Sequence, residues 1–181
     1  MNIERNNLFH EKGFTLIELV VAFSIMAILS TVGIASFVSY SRTQTMQQAV
    51  SDFTTALNTA KAASVAQTLS LNISGVNLTC PAGRAFEGYG IVINSPVANS
   101  YRFYVRCTGV KTYSAKETIL PTNINFDAST TTQDVFFAVL TGGVVGGGNI
   151  VFNGINLGLK TKTISIDLGG NILIPTPTPT P

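Results

Sequence analysis

Histidine is nearly absent from this 181-residue chain, with His10 its single example. It lies ahead of a processing signal, Lys12-Gly13, and a cut there discards it. No imidazole remains past that point, which excludes histidine-based triads and histidine metal ligands. Charge is scarce too, at 11% of residues. Removing residues 1–13 takes Arg5 and Lys12 together with Glu4 and Glu11, so nine basic and seven acidic residues remain and the net charge stays at +2. That balance makes no case for nucleic acid. Clustered carboxylates and a serine nucleophile elbow are also missing, so the expectation is a non-enzyme with no cofactor and no metal.

Proline is absent from Phe14 to Tyr40, a run of 27 residues whose single charge is Glu18. About 20 apolar residues suffice to cross a bilayer core, so this run is a membrane-spanning helix candidate. A cleaved secretory signal would place its cleavage site after the apolar core, whereas Lys12-Gly13 precedes it. Cutting there removes a leader and keeps the helix. An ionised carboxylate five residues into a span costs on the order of 2.5–3.5 kcal/mol, so Glu18 needs a partner, and the nearest is a positive N-terminal amine. Orientation rests on Lys12 beside the span.

Gly13-Phe14-Thr15-Leu16-Ile17-Glu18-Leu19 resembles the processing motif of the type IV pilin and type II secretion pseudopilin superfamily. The resemblance implies cleavage between Gly13 and Phe14 by a prepilin peptidase, which also N-methylates Phe14. It implies that Glu18 neutralises the N-terminal amine of a neighbouring subunit as helices stack into a filament. The implied partners are other pilin or pseudopilin subunits, the peptidase/methyltransferase, an inner-membrane assembly platform, and lipid before assembly. The implied location is the bacterial inner membrane, single-pass with the C-terminal domain outside the cytoplasm, and then a filament. An ordinary single-pass anchor with a chance acid is the plainer alternative.

Gly33 loosens the helical run, and Ala35 stands near the depth where many relatives carry proline. From Arg42, Met46, Ala49, Val50, Phe53, Ala56, Leu57, Ala60 and Ser64 recur at three- and four-residue steps, while Gln44, Gln48, Thr55 and Asn58 lie opposite. The spacing predicts one helix from Phe14 to about Gln67, roughly 80 Å long, with its second half packed under a sheet.

After Thr68, β-prone runs alternate with turn residues. Strands are expected around Leu69, Leu71 and Ile73, then at 89–94 and 101–107 as a hairpin about Asn94-Ser95-Pro96. Others are expected at 116–120, 124–127, 134–140 and 149–153, with a final hairpin of 163–168 and 171–174 about Gly169-Gly170. Ile164, Ile166 and Leu168 should share a core face. The expected fold is α+β, a long helix on a small, mostly antiparallel sheet. Its divisions are a leader at 1–13, a membrane and assembly half-helix at 14–40, an amphipathic half at 41–68, an exported head at 69–174 and a Pro/Thr tail at 175–181. Ala56-Leu57-Asn58-Thr59-Ala60-Lys61, Asn149-Ile150-Val151-Phe152 and the terminal hairpin resemble H-type minor pseudopilins and FimT-like pilus proteins, although Lys61-Ala62-Ala63 lacks their usual acidic residue.

Cys80 and Cys107 are either a disulfide, as an exported domain permits, or two free thiols with one buried on a strand face. Gly142 to Gly148 lacks a Gly-Lys-Ser/Thr ending and reads as a mobile loop or wide hairpin tip rather than a phosphate cradle. The tail suits an extended spacer, a threonine glycosylation target or an end without a role. Arg84, Arg102, Arg106, Lys111, Lys116, Lys160 and Lys162, with Tyr104 between two arginines, could instead form a DNA receptor on a minor pilin. A solvated strand face is the favoured reading of those cations.

Overall fold

The computed structural model describes residues 13–73, 75–93, 99–155 and 161–175, and within these the side chains at 31–33 and 35 are excepted. His10, Lys12, the Asn94-Ser95-Pro96 turn, Lys160, the tail beyond Pro175, and the Gly33 and Ala35 readings therefore lie outside the described residues. The chain divides into two compact units, Met1–Ser41 and Arg42–Pro181. A proline-free helix, α1, runs Leu16–Val65 through both.

Its end is set by backbone bonding. Gln67 adopts a left-handed φ of 52°, its N–H reaches the Ser64 carbonyl at 3.2 Å, and the Thr68 N–H reaches the Ala63 carbonyl at 3.0 Å. This is the Schellman arrangement, with glutamine in the position glycine usually takes.

Within the second unit the predicted stripe faces inward. Met46, Ala49, Val50, Phe53, Ala56, Leu57, Ala60 and Ser64 are all buried, and Gln44, Gln48, Thr55 and Asn58 are exposed. Twelve strands follow among the described residues, in antiparallel pairs. β1 (Ser70–Ile73) and β2 (Val76–Thr79) form a separate hairpin. β3 (Phe86–Ile93), β4 (Ser100–Cys107), β5 (Val110–Tyr113), β6 (Thr118–Ile119), β8 (Asp134–Ala138) and β9 (Val144–Val145) make a sheet in the order β5-β4-β3-β8-β9, with β6 also on β4. β7 (Ile124–Phe126), β10 (Gly148–Gly154), β11 (Thr161–Ile166) and β12 (Ile172–Leu173) form another, ordered β12-β11-β10-β7.

Phe53 joins the layers. Its ring meets Tyr101 of the larger sheet edge-on at 4.9 Å, and Phe126 and Phe152 of the smaller sheet at 5.7 and 5.5 Å. Ser64, polar among apolar neighbours, is fully buried. Its hydroxyl donates to the Ala60 carbonyl at 2.8 Å and accepts the Tyr89 N–H at 2.8 Å, beside an irregularity in β3 between Phe86 and Gly88. A buried N–H left unpaired would cost about 1–3 kcal/mol, which explains a serine on this face.

Several expectations need correction. Leu168 does not share the core face of Ile164 and Ile166 and is 75% exposed. The Asp167 carboxylate accepts the Asn171 N–H at 2.8 Å and the Gly170 N–H reaches the Asp167 carbonyl at 3.0 Å, so the turn begins one residue earlier and removes Leu168 from the alternation. Leu69 likewise precedes β1 and is exposed. The glycine-rich segment contains β9, so it is not simply a loop. Ala138 N–H donates to the Gly143 carbonyl at 2.9 Å within the larger sheet, and Val144 N–H donates to the Leu168 carbonyl at 3.0 Å, joining that sheet to the end of β11. Lys61 Nζ donates to the Gly170 carbonyl at 2.9 Å, tying the helix to the same corner.

Candidate processing and assembly site

Gly13, Phe14 and Thr15 are non-helical, and α1 begins at Leu16. What fixes this boundary is Thr15. Its carbonyl accepts the Leu19 N–H at 3.2 Å, and its hydroxyl oxygen accepts the Glu18 N–H at 3.3 Å. In return Glu18 Oε2 accepts the Thr15 N–H at 3.1 Å and the Thr15 hydroxyl at 3.0 Å. This reciprocal pattern is a capping box, which satisfies backbone donors that the first turn of a helix leaves open. Sequence reasoning overlooked Thr15, although its signal, threonine three residues before glutamate at the head of an apolar run, stands in plain view.

The surface beyond the cap is apolar. Phe14 is 87% exposed, and Leu16, Ile17, Phe23, Met26, Ile28, Leu29 and Phe37 each expose more than three-fifths of their area. Phe14, Glu18, Leu19, Ala22, Phe23 and Met26 line a groove. The serine hydroxyls are satisfied within the helix, Ser24 on the Val20 carbonyl at 2.8 Å and Ser30 on that of Met26 at 2.7 Å, which suits apolar surroundings. Among the described residues no helix is long and apolar enough to cross a membrane.

Elsewhere Cys80 and Cys107 form a disulfide with a Cα–Cα distance of 5.7 Å, joining the end of β2 to the end of β4. Among the described residues, three of the cations considered as a nucleic-acid surface are held in ion pairs. Arg102 pairs with Glu117 at 3.3 Å, Arg106 with Glu87 at 2.7 Å, and Lys111 with Asp134. Tyr104 is fully buried and unavailable for base stacking. It lies over Gly90, where a side chain would overlap its ring, and stacks on Phe136 at 6.2 Å. Its hydroxyl donates to Asp134 at 2.7 Å, while burial holds its pKa well above the ordinary tyrosine value. Arg84 and Lys116 are exposed. Among the described residues no three of histidine, cysteine, aspartate and glutamate converge on a metal-sized site.

Residues 8–34 match the family model of the prokaryotic N-terminal methylation motif. The chain carries a prepilin-type methylation motif. That match supports the type IV pilin and pseudopilin family, whose members are in general structural rather than enzymatic. It implies processing by a prepilin peptidase, inner-membrane anchoring and assembly with other pilin subunits. No curated protein and no solved structure matches the chain.

Proposed function

We propose that this protein is a minor pilin or pseudopilin, cleaved between Gly13 and Phe14, N-methylated on Phe14 and built into a filament through the first half of α1. The methylation-motif match across residues 8–34, at the head of a helix whose first-turn carboxylate, Glu18, closes a capping box and whose large side chains from Leu16 to Leu29 are exposed, carries the reading. Residues 1–13 are the leader, 14–40 the single membrane span and later the filament contact, and 41–68 the amphipathic half of the helix. Residues 69–174 form the exported head, and 175–181 a terminal extension. Lipid covers the apolar helix first, and neighbouring helices replace lipid on assembly. Glu18 then offsets the charge of an adjoining subunit's Phe14 amine. The head resembles the H-type group in its alanine-rich helix end and terminal hairpin. The subunit performs no chemistry and holds no cofactor.

Quantitative mass spectrometry of sheared surface filaments and of the membranes they came from tests this. A methylated Phe14 terminus at low abundance in filaments is expected. A high abundance would make this the main subunit, and an intact Met1 leader in both fractions would sink the processing assignment. Glu18→Gln should be cleaved yet incorporate poorly, and equal incorporation would remove the charge-pairing account.

A further inference from the structure

The geometry points to Thr15 as a positioning residue for leader cleavage: its capping box with Glu18 stops the helix one residue past the scissile bond. This rests on the processing reading above. Hydrolysis of the Gly13–Phe14 amide consumes one water, leaves a carboxylate on Gly13 and frees the Phe14 amine. A peptidase must reach that carbonyl from outside the backbone hydrogen-bond ladder, so a helical Gly13–Phe14 bond would first have to unwind. Residues 1–12 contain no proline and Gly13 costs a continuing helix only about 1 kcal/mol, or about fivefold, so the leader by itself does not bar helix from continuing upstream. The stop is instead written at Thr15, whose hydroxyl occupies the Glu18 N–H at 3.3 Å while Glu18 Oε2 holds the Thr15 N–H at 3.1 Å.

Two further observations place the peptidase's target at this boundary. Gly13 and Phe14 lie outside the helix, Phe14 is 87% exposed, and the space around the Gly13 Cα is open. The methylation-motif match, from 8 to 34, spans the scissile bond and both members of the box. The motif's threonine and glutamate thus act together before cleavage as a helix stop, separately from any role of the glutamate afterwards.

The test is cleavage of the full-length precursor in membrane vesicles by a prepilin peptidase, with initial rates read at several precursor concentrations. Loss of the N-cap threonine costs the helix start at Leu16 about 1 kcal/mol, which favours a helix that begins upstream of Gly13 about fivefold relative to it. Thr15→Ala is therefore expected to lower kcat/KM about fivefold, mainly through kcat if the enzyme still binds the segment. Thr15→Ser and Glu18→Gln both keep the box and should stay within twofold of the parent. Parental rates for Thr15→Ala would overturn the positioning role while leaving the processing assignment intact. Equal slowing of Thr15→Ala and Thr15→Ser would also overturn it, since the enzyme would then be reading the threonine methyl group directly. A parent precursor that is never cut at Gly13–Phe14 would instead overturn the processing assignment itself.

Discussion

Phe53 offers the sharpest test of how the head is held together. It is fully buried and its ring meets Tyr101 on one sheet and Phe126 and Phe152 on the other. Truncation to alanine removes a ring from a packed core, a loss of about 3–5 kcal/mol for buried phenylalanine. Phe53→Leu keeps most of the volume and loses chiefly the edge-on contacts, each worth about 0.5–1.5 kcal/mol beyond area burial. Three contacts of that size predict about 2 kcal/mol for Phe53→Leu and about 4 kcal/mol for Phe53→Ala. The processed chain in mild detergent can be unfolded with urea and followed by tyrosine fluorescence, since the sequence has no tryptophan. An unchanged m-value would confirm that the same surface is exposed in each variant. The decisive numbers are double-mutant couplings with Phe152→Leu and Tyr101→Leu. Coupling of about 1 kcal/mol to both is expected of a residue that bridges the sheets. Coupling to Tyr101 with none to Phe152 would mean that the helix docks on the larger sheet alone, and the account of Phe53 as the joint would fail.

Removing the disulfide with Cys80→Ser and Cys107→Ser, whose loop spans a sequence separation of 27, should destabilise the chain by about 3.5 kcal/mol; urea midpoints with and without reductant would show it, and no shift would refute it. Gly90→Ala would drive a methyl group into the Tyr104 ring, so a loss of about 1–3 kcal/mol is expected in the same assay, relieved when combined with Tyr104→Ala. Burial raises the pKa of Tyr89, Tyr101 and Tyr104. Above the ordinary tyrosine value the unfolded chain then releases protons that the folded chain keeps. The contribution of these tyrosines is therefore constant below about pH 10 and falls above it, by up to about 1.4 kcal/mol per pH unit for each tyrosine; a pH series of urea melts from about pH 8 upward checks this, and a flat profile to pH 11 would contradict it. Gln67→Gly relieves a left-handed residue at φ 52° and should raise stability by about 0.5–1 kcal/mol, read as a higher melting temperature.

The helix was the most legible part because its signal repeats over many turns. Each apolar residue from Met46 to Ala60 was placed by spacing alone, and all are buried. The central pair was found because β3 and β4 run eight residues each, although β3 begins at Phe86, three residues ahead of the expected 89. The short pieces were not. β2 and β9 have four and two residues, too few for a period to stand out. β5 follows a two-residue turn in which Thr108 and Gly109 both have positive φ, 47° and 75°, the twist-matched hairpin geometry; the Thr-Gly pair was its signal. Tyr104 misled because alternation gives the face of a strand and not what covers it. Here glycine at position 90 leaves a trough in the neighbouring strand, and the aromatic ring fills it beneath Lys111.

The N-terminal motif shows the opposite difficulty: its residues were found, but one of their two jobs was not. Glu18 was read as a charge waiting for an amine, which leaves the unassembled subunit with an exposed cost. The capping box supplies a partner inside the subunit, and both Thr15 donors use the same oxygen, Oε2. An ionised carboxylate has about four acceptor positions over its two oxygens, so a neighbour's amine can approach Oε1 without dismantling the cap. Helix start and subunit pairing are then separable by chemistry. Glutamine retains an oxygen for Thr15 but replaces the other with an amide that donates, which turns an attraction for the amine into a repulsion. Conservative replacement at this position should therefore spare maturation and damage assembly, whereas replacement of Thr15 should damage maturation first.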